Sequence, residues 1–167
     1  MEVATIEAFL SYFGKVRERT LRVVQLFPAD TFDWTYKAGK FTVADVVRHI
    51  AATERFMWAE TVQGRPSRYP GHGPELAGTP HEVLRFFDSM HRESMSIFES
   101  LADQDLRKTC ATPAGAQVTI GKWLRAMVEH EIHHRGELYV YLGLLDIPAP
   151  TLYGLTSEQV RERSVRE

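Results

Sequence analysis

Four long segments with apolar residues spaced at three and four positions dominate the chain, and each is bracketed by start and stop signals of its own. The first spans roughly 4 to 26, carries Ile6, Phe9, Leu10, Phe13, Val16, Val23 and Val24, and ends before Pro28. The second starts at Thr42, where Thr42 and Asp45 have the spacing of a capping box, and runs to Gln63 before Gly64. Thr79, Pro80 and Glu82 open the third, which continues to about Leu101. The fourth runs from Thr119 or Ile120 to about Leu145, before Pro148 and Pro150. A short tail helix near Ser157 to Arg163 follows.

Strand-like alternation is nearly absent and no repeats occur, so the expected fold class is all-α, a four-helix bundle in one domain. The connection GRPSRYPGHGPELAG, residues 64 to 78, holds four Gly and three Pro and is long for a tight bundle turn. It must cross the surface as a long crossover connection.

Composition narrows the function classes. The 167 residues are 44% hydrophobic, enough for a core without staples, and 20 Lys and Arg balance 22 Asp and Glu. Without a basic run, nucleic acid and anionic membranes are not expected partners. No apolar run reaches the ~18 residues of a membrane span. The single Cys110 cannot form an internal disulfide and reads as an inert loop thiol. MEVATIEAFLSYF is unlike a secretory signal, so a cytoplasmic protein is expected.

Chemistry concentrates in HEIHH, residues 130 to 134. Trp123, Met127, His130, His134, Leu138, Tyr141 and Leu145 form one stripe that a bundle turns inward. Two imidazoles in an apolar seam need partners, and at i, i+4 they are placed to share one cation; the alternative is two core histidines bonded to carbonyls or water. An open site with three protein ligands requires a third donor. His49, on a stripe with Val46, Thr53 and Phe56, can face the bundle axis; His91 is the weaker candidate. His72 and His81 read as solvated, and His133, turned about 100° per residue from its neighbours, as a supporting or structural residue.

The written form H-E-x-x-H is also the zinc-protease signature. The extended protease motif then needs Gly and His where this chain has Glu137 and Val140. A di-iron bundle needs two E-x-x-H motifs, and only Glu131 to His134 is present.

Taken in order, FTVADVVRHIAATERFMW, HEIHHRGEL and the closing IPAPTLYG, with Trp34 ahead of the second helix, resemble the DinB/YfiT-like superfamily of four-helix-bundle metalloproteins over nearly the whole chain. The resemblance implies that His49, His130 and His134 are the metal ligands, that the cofactor is a divalent metal ion, zinc or nickel most often, and that the protein forms a homodimer. It further implies a small-molecule substrate and, as in some members, a low-molecular-weight thiol cofactor used by a transferase or isomerase. The expected chemistry is a thiol made nucleophilic at the metal and transferred to a small electrophile; a metal-dependent hydrolase and a non-catalytic metal-binding stress-response module are the alternatives. Glu131 or Glu129 is the candidate catalytic proton shuttle or histidine-orienting group, Glu131 being preferred at about 60° from His134 on the helical wheel, with a surface carboxylate as the plain alternative for either. Arg135 could attract an anionic substrate or sit in solvent. Glu137 stands where the family often has Gln and reads as a solvated or helix-pairing carboxylate.

Overall fold

The computed structural model describes residues 3–164. Helix α1 is Ile6–Val24, capped by the Thr5 side chain. Helix α2 starts at Val43–Thr53, passes through a π-helical turn at Glu54–Trp58 and closes at Ala59–Thr61. Helix α3 is Pro80–Glu99, α4 is Ile120–Leu144 and the tail helix α5 is Ser157–Arg163. The two capping boxes expected at Thr42/Asp45 and Thr79/Glu82 both form, each satisfying two backbone donors that the first helical turn cannot use. The all-α, four-helix-bundle reading therefore holds.

Two details differ from the sequence reading. Within the third connection, Thr109–Ala111 (β1) and Gln117–Thr119 (β2) pair antiparallel, with Cys110 opposite Val118. Strands of three residues are too short to show alternation; the turn closes because Gly115 takes a φ of 83°, open to glycine at little cost. Second, the second and third helices stop at Thr61 and Glu99, each two residues early.

Helix α1 lies chiefly against α4, and α2 chiefly against α3. The core divides into two apolar halves. One gathers Val23, Val24, Val47, Ile50, Phe87, Leu138 and Leu142. The other gathers Phe9, Phe13, Val16, Trp58, Phe98, Leu124 and Met127. Along each of the four long helices a polar side chain falls between the halves: Arg17 on α1, Glu54 on α2, His91 on α3 and Glu131 on α4.

These four side chains form one network. The Arg17 guanidinium donates to Glu54 Oε2 and, at 2.9 Å, to Glu131 Oε2, while His91 Nδ1 lies 2.9 Å from Glu54 Oε1. The Arg17 Cζ also sits 4.0 Å from the centre of the Phe87 ring. Burial by itself would raise the Glu54 pKa, but the Arg17 charge and the bond with His91 outweigh it and hold the carboxyl below its ordinary value.

Candidate metal centre

The π-helical turn decides what α2 presents to the interior. One extra residue per turn rotates everything after Glu54 relative to an unbroken α-helix, so Glu54, Trp58 and Glu60 are buried while Phe56 and Met57 are only partly so. The straight-helix stripe that continued from His49 through Thr53 to Phe56 is thus corrected beyond Thr53. His49 itself precedes the turn and faces α4.

There it meets His130 and His134. One ligand-capable nitrogen from each ring lies within 4.8 Å of the others, and His49 Nε2 and His130 Nε2 are 3.1 Å apart. Ring centroids are separated by 5.0 Å for His49 and His130, 4.7 Å for His49 and His134, and 4.5 Å for His130 and His134. His91, the weaker candidate, belongs to the Arg17 network instead. His133 is exposed, and its ring touches only the outer side of the cluster, 5.0 Å from His134.

The outer nitrogens are supported. His134 Nδ1 is 3.0 Å from Glu137 Oε2, and a carboxylate can only accept, so the proton is on Nδ1 and the Nε2 lone pair is bare. His49 Nδ1 is 2.8 Å from the Tyr69 hydroxyl, which is 3.1 Å from His72 Nδ1. Where Tyr69 donates to His72, His49 Nδ1 donates to Tyr69 and its Nε2 lone pair faces His130 Nε2. The bare His134 Nε2 beside the paired His49 and His130 Nε2 atoms fits a cation.

Burial comes first among the causes that keep these rings neutral. It, followed by the neighbouring His134 and His72, depresses the His49 pKa to about 4. Burial with His134 and His49 depresses that of His130 to about 3. His134 is also lowered by burial, with the Glu137 bond acting the other way. Metal ligation requires neutral imidazole, and the site supplies it across the physiological range.

Residues ahead of α2, in its π-helical turn and on α4 complete the surroundings. Phe41 covers His72 at 4.1 Å and His49 at 5.5 Å between ring centroids. Trp58 packs 4.8 Å from His130 and leans on Trp123, whose indole donates to Thr61. Arg48 fastens the crossover down, donating to the carbonyls of His72 and Ala77 and to Asp45.

Several sequence readings change accordingly. His72 is not solvated but is held between Tyr69 and Phe41. Glu137 bonds His134 and accepts from Tyr141, a supporting role that its i, i+3 distance from His134 permits but does not reveal. Tyr69 gave no signal in the sequence, because nothing in a Gly- and Pro-rich loop says which side chain turns inward. Arg135 is neither solvated nor at the mouth: it is buried, and donates to the Val16 carbonyl and the Tyr153 hydroxyl. Glu131 is buried too, which removes the surface-carboxylate reading, and its described hydrogen bond goes to Arg17.

Comparison with known proteins places this geometry. Residues 12–138 match the model of the DinB superfamily. The chain belongs to that family. The YjoA protein of Bacillus subtilis (strain 168) is 24% identical over 144 residues, covering 83% of this chain and 92% of YjoA. A DinB-like crystal structure from Bacillus cereus ATCC 10987 superposes with a TM-score of 0.78 at 17% identity, over 90% of this chain and 99% of that one. YfiT of Bacillus subtilis, described as a probable metal-dependent hydrolase with an unusual four-helix bundle topology, gives 0.68 at 16% identity over 86% and 89%. A mycothiol-dependent maleylpyruvate isomerase gives 0.62 at 16% identity, over 80% of this DinB-family chain but 60% of the isomerase. At these identities the likeness establishes the fold. Among the described residues no helix is long and apolar enough to cross a membrane.

Proposed function

We propose that this DinB-family protein is a divalent-metal-dependent enzyme that transfers a low-molecular-weight thiol to a small electrophile, with His49, His130 and His134 as the metal ligands. The observation that carries the reading is the convergence of three neutral imidazoles from two helices, two of them held from behind at Nδ1 by Tyr69 and Glu137. Zinc and nickel suit an all-imidazole donor set. Three neutral imidazoles would leave a bound divalent cation its full charge, and such a cation would lower the pKa of a thiol or water bound beside them.

The chain's own groups supply the rest. Glu137 and Tyr69 hold the ring orientations, and Glu137 also sets the His134 tautomer. Phe41 and Trp58 keep the inner side apolar, which strengthens charge interactions there. Glu131 enters the proposal as a proton-handling group through Oε1, which has no hydrogen-bond partner among the described residues, while Oε2 accepts from Arg17.

The description of YfiT supports a second reading, hydrolysis, with water in the place of the thiol. Cobalt-loaded protein separates the two. A thiol that changes the cobalt spectrum and is consumed with a small electrophile supports transfer. Ester or amide cleavage without added thiol supports hydrolysis. Metal bound with neither result supports the non-catalytic module. Glu131→Gln should lower turnover with metal content unchanged; full activity in that variant would remove Glu131 from the proposal.

A further inference from the structure

Next to the histidine cluster, the crossover and the β1–β2 turn enclose a cleft of about 840 Å³, lined by Arg65, Arg68, Tyr69 and Pro113 among others, with no carboxylate in the lining. Both arginine side chains are more than half exposed. Behind them is Glu60, almost wholly buried, whose Oε1 accepts from Arg55 Nη1 at 2.5 Å and Arg68 Nη2 at 2.7 Å. Arg65 Nε lies 2.8 Å from Glu60 Oε2 as a charge contact, while its Nη2 donates to Oε1 at 3.3 Å. Arg55 has a second carboxylate, Glu93, at 2.8 Å. Three guanidiniums therefore face two carboxylates, and the surplus charge is on the cleft side.

A guanidinium carries five N–H donors, and Arg68 directs one of them to Glu60, leaving Nε and Nη1 without a protein partner among the described hydrogen bonds. The arginines are also positioned rather than loose. Glu60 pins them, Pro66 stiffens the backbone between them, and the Arg68 N–H donates to the Phe56 carbonyl of the π-helical turn at 2.7 Å. The cleft borders the histidines through two of its lining residues. Tyr69 bonds His49, and Thr61 bonds Trp123, which leads through Trp58 to His130.

We infer that Arg65 and Arg68 form an anion subsite that takes the carboxylate or phosphate end of a small ligand whose reacting end lies at the histidine cluster. The placement of the reacting end rests on the metal-enzyme reading; anion binding at the arginines does not. Arg65 gives Nε and Nη2 to Glu60 and Gln63 and keeps Nη1 for a ligand, so with Arg68 Nε and Nη1 the pair can match the two oxygens of a carboxylate and favour an anionic terminus over a neutral one. The anion could belong to the thiol or to the electrophile.

The test begins with the metal-free full chain. Succinate, titrated against the amide signals of Ser67 and Tyr69, should shift both, and the neutral succinamide should shift neither. The Arg65→Gln/Arg68→Gln variant, checked for folding by circular dichroism, should bind succinate at least about tenfold more weakly, as expected for loss of charge-assisted hydrogen bonds. Should the double variant fail to fold, Arg68→Gln alone reads the same loss. Absence of a succinate shift, or equal binding by the variants, overturns the subsite. Cobalt-loaded protein then locates the anion, with 6-mercaptohexanoate compared with 6-mercaptohexanol. If the acid perturbs the cobalt spectrum at lower concentration than the alcohol, and the advantage vanishes in the variant, the subsite holds the thiol's own anion. Equal responses, with succinate still bound, assign the subsite to the electrophile. If neither thiol perturbs cobalt while succinate binds, the subsite stands and the thiol-transfer reading falls.

Discussion

At the scale of single residues, the centre depends on which nitrogen of each ring is bare. His49→Ala, His130→Ala and His134→Ala should each sharply reduce bound metal in elemental analysis, whereas His133→Ala, exposed on the outer side, should change it little. Glu137→Gln keeps the shape of the side chain but lets the amide present either a donor or an acceptor to His134 Nδ1. Removing such support typically weakens metal affinity 10- to 100-fold, to be measured by chelator competition, roughly. The pH dependence of the metal-free protein has a definite sign. In the unfolded chain these histidines titrate near 6.5; in the folded protein His49 and His130 are depressed to about 4 and about 3. As pH falls below 6.5 the unfolded chain takes up protons that the folded one refuses, so acid favours unfolding over that window. The melting temperature measured in chelator should drop between pH 7 and pH 5, and His130→Asn should flatten the drop.

At the scale of elements, each of the four long helices contributes one member of the Arg17, Glu54, His91 and Glu131 network. Arg17→Met would leave two carboxylates buried without their shared cation. Breaking a buried ion pair from one side costs about 3–5 kcal/mol, and urea denaturation of Arg17→Met should show a loss of that size. Adding Glu54→Gln and Glu131→Gln to Arg17→Met should recover part of it, because the uncompensated charges are then gone; a triple variant less stable than the single one would contradict the network's electrostatic account. The helices themselves were legible in the sequence, since their caps are local: Thr42 with Asp45 and Thr79 with Glu82 act within one turn. The π-helical turn at Glu54–Trp58 was not. Nothing in ERFMW announces a wide turn, whereas in the fold the turn accompanies the long-range contacts of Glu54 with Arg17 and of Trp58 with His130.

At the scale of the whole molecule, a ligand held only by the folded state adds to stability by mass action. Zinc or nickel at a hundred times its Kd should contribute about 2.7 kcal/mol, raising the melting temperature by roughly 5–10 °C for a chain of this size, and chelator should reverse it. A melting temperature indifferent to both metals would contradict the assignment of the three rings. Their convergence was readable because His130 and His134 share a helical face and His49 falls on an inward stripe. The outer support was not, because Tyr69 and His72 reach the centre through a loop whose path is set by Arg48, a residue 24 positions from His72. The polar layer between the two apolar halves also bears on how the bundle is held in alignment. Apolar helices can slip along one another at modest cost, since one hydrocarbon contact replaces another. Here an axial slip of one turn, about 5.4 Å, would push a charged side chain into hydrocarbon on one side or the other and strand its counter-ion. The ring of ions thus acts as a detent, and it fixes the height at which His49 on one rod meets His130 and His134 on another.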